Sequence, residues 1–148
     1  MSELNCFVID SSVLLAYKEG KADAKKLIYD AIDGNVSVVV PAYSLFILSR
    51  LDSFDRKTEM GFVSLLKFIA TIQIDAPTAM RAGYLYKSIS NNSNPYKQVD
   101  LFSMVDPLQN QIEDSITCAV AENENNSIIS NRINSIENTN AEWIILGS

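Results

Sequence analysis

Five short apolar runs punctuate the chain, at Asn5 to Ile9, Val36 to Val40, Thr71 to Ile74, Ser127 to Ser130 and Trp143 to Leu146, with longer amphipathic stretches between them. Short runs alternating with helical stretches predict a parallel sheet covered by helices on both faces. Val36-Ser37-Val38-Val39-Val40 is the clearest strand, because a mostly β-branched run without polar alternation suits a strand buried on both sides. The expected fold class is α/β, a three-layer sandwich with a central five-stranded parallel sheet, in a single domain over residues 1–148.

The helices follow from spacing and from their stops. Val13-Leu14-Leu15-Ala16-Tyr17 opens one directly after the first run. Leu27, Ile28, Ala31 and Ile32 recur at helical spacing, so Ala22 to Asp33 reads as an amphipathic helix that Gly34 stops. Pro41 opens a third helix, where its missing amide hydrogen does no harm, and Leu45, Phe46, Leu48 and Leu51 supply the apolar surface. Asp55 caps a fourth, in which Val63, Leu66 and Ala70 share one face and Phe62, Leu65 and Ile69 an adjoining one. Pro77 starts a fifth helix, carrying Met80, Tyr84, Leu85 and Ile89, and the polar stretch from Ser88 through Pro95 to Asn110 reads as the longest loop. Asn110 to Glu113 resembles a capping box. It would open a sixth helix with Ile112, Ile116, Ala119 and Val120 on its core face and Asp114 in its first turn. The Asn-rich segments Glu122 to Asn126 and Asn131 to Asn140 read as solvated connections.

Composition narrows the classes of function. The chain has 148 residues, 47% of them hydrophobic, enough for one core. Twelve Lys plus Arg against eighteen Asp plus Glu give a net charge of -6, which confines any nucleic-acid contact to a local patch. Cys6 and Cys118 lie in apolar surroundings and read as reduced structural thiols. Two such cysteines with no histidine make neither a disulfide framework nor a zinc site. This usage predicts a reducing, cytoplasmic location. Met1-Ser2-Glu3-Leu4 lacks a basic n-region and a long apolar h-region, and no run approaches the roughly 20 apolar residues of a membrane span, so no membrane partner is expected.

Several chemistries are absent. No GxGxxG follows the first run and no GxxxxGK[ST] occurs, which argues against a nucleotide cofactor. Asp10 stands without the acidic neighbour of a phosphoacceptor receiver, and without histidine there is no Ser-His-Asp triad. Asp10 does end the first strand, where open α/β sheets place their chemistry, and Asp114 is a second carboxylate from a distant part of the chain. Such a pair suits Mg²⁺ or Mn²⁺, which can clamp a scissile phosphate. Each residue also has a purely structural reading, Asp10 as a helix N-cap and Asp114 as a first-turn carboxylate favoured by the helix dipole.

Four segments in order, Val8-Ile9-Asp10-Ser11-Ser12-Val13-Leu14-Leu15-Ala16, Val38-Val39-Val40-Pro41-Ala42, Glu113-Asp114-Ser115-Ile116-Thr117-Cys118-Ala119 and Ile128-Ile129-Ser130-Asn131, resemble the PIN domain family. Its members are mostly small metal-dependent ribonucleases and include the toxins of toxin-antitoxin pairs. The resemblance covers nearly the whole chain. It implies a PIN-like fold, a Mg²⁺ or Mn²⁺ site, and Asp10 and Asp114 as catalytic, metal-binding residues.

Two departures limit what carries over. Ile47 stands where the family has a Glu on the third helix, and Arg132 where its last Asp belongs, with Ser12 and Asn134 as polar support. Two carboxylates and a cation in place of four acids should hold a divalent ion weakly or not at all. Ile47 also reads as an ordinary core residue. Arg132 reads either as an exposed loop arginine or as a guanidinium that replaces the metal as the cation neutralising Asp10 and Asp114. Glu113 is assigned to the capping box, and Asp52, Asp55, Asp100 and Asp106 to turns and caps.

Three functions stay open. The first is a degenerate PIN-like domain with weak or absent nuclease activity. The second is an active toxin-like endoribonuclease using Asp10 and Asp114 with Mg²⁺ or Mn²⁺. The third is a non-catalytic module, binding RNA or protein as a homodimer or in a toxin-antitoxin-like pair, through Phe46, Leu51, Phe62 and Phe68 of the third and fourth helices.

Overall fold

The computed structural model describes residues 6–92, 107–132, 136 and 139–147. Its centre is β1 (Cys6–Ile9), flanked by β2 (Ser37–Pro41) on one side and β4 (Ser127–Ser130) on the other, with β3 (Ala70–Ile72) and β5 (Trp143–Ile145) at the edges. The order is β3-β2-β1-β4-β5 and every pairing is parallel. Val8 pairs with Val39 and with Ile128, and Ile9 pairs with Ile129, which brings the carboxyl ends of β1 and β4 together.

Each strand junction with a helix has a local cause. Asp10 turns β1 into α1 (Ser11–Lys18) by accepting the Ser12 and Val13 amides on its side chain. Gly34, at φ +80, ends the segment after α2 (Ala22–Ile32) in a backbone conformation that a side chain would strain. Pro41 ends β2 and leads into α3 (Ala42–Ser49), while Asp55 caps α4 (Arg56–Leu65) by accepting the Thr58 amide at 2.8 Å. Asp75 accepts the Thr78 amide at 2.9 Å at the start of α5 (Ala76–Asn92), and α6 (Pro107–Glu124) ends at Asn125 with φ 56.

Strand alternation divides the core into two apolar layers. On one face Ile9, Val38, Val40 and Ile129 pack with Val13, Leu14, Ile28, Leu48 and Phe62. On the other, Val8 and Ile128 pack with Leu85, Cys118, Ala119 and Val120. Helices α1 to α4 thus line one side and α5 and α6 the other, giving the three layers that the pattern predicts. Among the described residues no helix is long and apolar enough to cross a membrane.

Several boundaries differ from the sequence-based expectation. Helix α6 begins at Pro107, so Asn110 lies inside it and opens no capping box, and Asp114 sits two turns in, beyond the reach of the helix dipole. Helix α5 continues to Asn92 rather than giving way at Ser88, because the polar residues of its last turn lie on a helix already anchored to α6. Helix α4 stops at Leu65, and the apolar run beyond it belongs to a turn and to β3, with Ile69 buried and Ala70 paired to Val39. Glu122 is helical and ion-paired to Arg81 at 2.7 Å, not part of a solvated connection.

Candidate acidic pocket

The pocket lies where β1, β4 and α6 meet. Asp10 follows β1 and is fully buried, at 0% exposure. Its Oδ1 accepts from the Ser12 amide at 3.0 Å, the Val13 amide at 3.3 Å and the Ser12 hydroxyl, and its Oδ2 accepts from the Ser130 hydroxyl at 2.6 Å. The two hydroxyls also lie 3.1 Å apart, and the Asn131 and Arg132 amides donate to them at 2.8 and 3.2 Å. Burial raises the Asp10 carboxyl above its ordinary value, with the Glu113 charge pushing the same way against Arg132 and the two serines.

Helix α6 contributes two adjacent carboxylates, both almost inaccessible, Glu113 at 1% and Asp114 at 3% exposure. Glu113 Oε2 accepts the Ser11 amide at 2.8 Å, and its Oε1 accepts the Ser11 hydroxyl at 2.7 Å. Arg132, two residues past β4, reaches back so that its Nη2 donates to Glu113 Oε1 at 2.8 Å and to Asp114 Oδ1 at 2.7 Å. The Trp143 indole donates to the Arg132 carbonyl at 3.2 Å and fixes the backbone from β5. Burial pushes the Asp114 carboxyl up to about 7 in spite of Arg132's attraction, and the Asp10 and Glu113 charges add to the rise. Burial would pull the Arg132 guanidinium down, but the charges of Asp10, Asp114 and Glu113 outweigh it and hold the group above its ordinary value.

The expected residues are therefore not all placed as the resemblance implies. Asp10, Asp114, Ser12 and Arg132 converge on one pocket. Glu113, assigned from sequence to a capping box, is instead a buried member of the cluster, because both its oxygens are taken by Ser11 and Arg132. Ile47 is a buried core residue on α3, and Ser44, one turn before it, is buried with its hydroxyl unpartnered among the described residues. Asn134, Asp100 and Asp106 lie outside the described residues. Ser130 and Ser11 were missed from sequence; the hydroxyl beside each strand end was the available signal.

The donor set does not fit a divalent ion. Mg²⁺ wants close to six oxygen ligands, several of them water, around carboxylates free to accept it. Here Asp10 is enclosed by hydroxyls and amides, and one guanidinium nitrogen lies between Glu113 and Asp114. Among the described residues no group of three or more His, Cys, Asp or Glu side chains is arranged to hold a metal.

On the proposed docking helices, Phe62 and Leu51 pack into the chain's own core, which corrects the expectation that they face a partner. Phe46 at 57% and Phe68 at 58% are exposed, as are Met60 and Val63.

No family model and no curated protein matches the sequence. Solved structures do share the fold. A chain in the crystal structure of VapBC2 from Rickettsia felis bound to a DNA fragment from its promoter aligns with a TM-score of 0.63 at 12% identity, covering 93% of this chain and 98% of that one. A toxin-antitoxin complex from Klebsiella pneumoniae gives 0.58 at 16% identity over 85% and 86% of the two chains, and DNA-bound VapBC from Salmonella typhimurium gives 0.59 at 10% over 87% of each. The fold is PIN-like, as the resemblance implies.

Proposed function

We propose that this chain is a PIN-like domain that has given up metal-dependent RNA cleavage and acts by binding protein, either a second copy of itself or an antitoxin-type partner. The observation that carries the reading is the single Arg132 nitrogen held by both Glu113 and Asp114. A catalytic metal in such a site would have to displace a cation that is covalently part of the chain and bonded to two buried acids. The net charge of -6 disfavours RNA as the main ligand, whereas exposed Phe46, Met60, Val63 and Phe68 suit a protein surface. Antitoxin binding is carried over from fold neighbours that are toxin-antitoxin complexes.

The test is cleavage of single-stranded RNA at millimolar Mn²⁺ or Mg²⁺ by a nuclease-free preparation. The expected result is no cleavage above that of Asp10→Asn. Metal-dependent cleavage lost in Asp10→Asn would overturn the reading in favour of an active endoribonuclease. Sedimentation at micromolar concentration tests the association: a dimer that dissociates in Phe46→Ser/Met60→Ser supports self-binding, and a monomer leaves only the antitoxin-type partner, tested by mixing with such a protein.

A further inference from the structure

Three buried carboxylates from two distant segments crowd the end of β1, and those that stay ionised need a counter-cation. In this chain the cation comes from the residue pair that follows β4. Its geometry is specific. One nitrogen, Nη2, lies 2.8 Å from an oxygen of Glu113 and 2.7 Å from an oxygen of Asp114, while Nε is buried without a hydrogen-bond partner among the described residues. Among the described residues one guanidinium donor is thus left unsatisfied while Nη2 bridges the two acids. Divalent ions hold carboxylate oxygens at about 2.1 to 2.5 Å, so an ion at the Nη2 position would need each oxygen to move inward by roughly 0.5 Å. Side chains can make that adjustment.

We infer that Arg132 is the resident cation of the pocket, with its Nη2 standing where a divalent ion would bridge Glu113 and Asp114, and that removing the guanidinium converts these two acids into a divalent-cation site. The inference rests on the proposed reading that the native pocket carries no metal of its own. Arg132 is accordingly a positioning residue for the acidic cluster: it fixes the two α6 carboxylates against the β1 end and keeps competing cations out.

The experiment is thermal unfolding with and without millimolar Mn²⁺, paired with Mn²⁺ titration followed by electron paramagnetic resonance. The native chain should show no Mn²⁺-dependent shift. Arg132→Ala should melt lower by roughly 10 °C, the scale expected for orphaning buried charge, and should recover several degrees in Mn²⁺ while binding about one ion. Should Arg132→Ala not fold, Arg132→Gln, which keeps length and polarity, takes the same two measurements. Adding Glu113→Gln to either variant should abolish the Mn²⁺ response. Arg81→Ala, which removes an ion-paired arginine elsewhere on the surface, should show none.

A variant that melts lower but ignores Mn²⁺ overturns the inference, as does Mn²⁺ binding by the native chain or an undiminished response in the Glu113→Gln double variant. The two readings fail separately. Metal-independent RNA cleavage by the native chain would sink the proposed function and leave the resident cation standing; an Mn²⁺-silent Arg132→Ala with no RNA cleavage would do the reverse.

Discussion

Ser11 holds Glu113 with both of its donors, the backbone amide on Oε2 at 2.8 Å and the hydroxyl on Oε1 at 2.7 Å, across 102 residues of chain. The first turn of α1 and the middle of α6 are thereby joined at a single carboxylate that also carries Arg132.

Glu113→Ala leaves Arg132 short of one acid and the Ser11 hydroxyl and amide without partners. It should cost roughly 3–5 kcal/mol, the scale for breaking a buried charge pair. Ser11→Ala, which removes one neutral donor and keeps the amide bond, should cost only about 1–2 kcal/mol. Urea unfolding at neutral pH measures both, and equal losses would show that Glu113 acts through Ser11 alone.

Asp114 sets a pH dependence of unusual sign. Burial takes its carboxyl from 3.8 to about 7, and Asp10 is raised as well. An acid whose value is higher in the folded state contributes stability that is fully present below its unfolded value and lost as pH rises through the folded one. Unfolding free energy should therefore decline between about pH 4 and pH 7.5, by roughly 2–4 kcal/mol for Asp114. Asp55, Asp75 and Glu122, all lowered, act oppositely, and because their ordinary values are 3.8 and 4.5 they offset the start of the decline and leave it clearest above about pH 5. Asp114→Asn should flatten the decline, and a slope unchanged by that substitution would contradict the assignment.

Asp10→Ala removes the acceptor for two hydroxyls and two amides and should destabilise by roughly 2–4 kcal/mol, combining a lost cap with orphaned buried donors. Asp10→Asn keeps an acceptor on one side and removes a buried charge, so its loss should be less than half as large. Chemical denaturation of the two variants side by side gives the ratio.

Cys118 is fully buried, and burial with the nearby Asp114 charge pushes its thiol up to about 12. A thiol so rarely ionised is inert. Reaction with a disulfide reagent at pH 8 should modify Cys6 alone in the native protein and both cysteines in urea. Native modification of Cys118 would mean that the α5 and α6 layer opens readily.

Much of this arrangement was legible in one dimension. Val38 to Val40 and the stop at Pro41 specify a buried strand without reference to the rest of the chain, and Asp10 between Ile9 and Ser11 marks a strand end that is also a helix start. Glu113 was harder. Its spacing from Asn110 satisfies a local capping motif, while the cause of its burial lies a hundred residues away in Ser11. A trace existed even so: Glu113 shares a helical stripe with Ile116, Thr117 and Val120, and an acid on the core-facing side of a helix needs a partner. Phe62 could not be assigned to inside or outside by periodicity, since Phe54 and Tyr17, whose rings meet it at 5.8 and 6.4 Å, reach it from the connection before α4 and from α1. The end of α4 was obscured because apolar residues continue from helix through turn into β3 with Lys67 as the one charged interruption and no Gly or Pro to mark the stop.

The strand order has a consequence for how the chain reaches this state. β1 comes first in sequence yet lies at the middle of the sheet, between β2 and a strand that follows it by more than a hundred residues. During synthesis, a protein of this order pairs one edge of β1 early and leaves the other open until the C-terminal segment emerges. Asp10 waits over the same interval, since Ser130 lies 120 residues away from it. Long-range parallel pairing of this kind folds slowly, and the open edge is a place where unfinished chains can associate wrongly. The pocket is therefore among the last features to form, and its assembly reports that β4 has closed the open edge of β1.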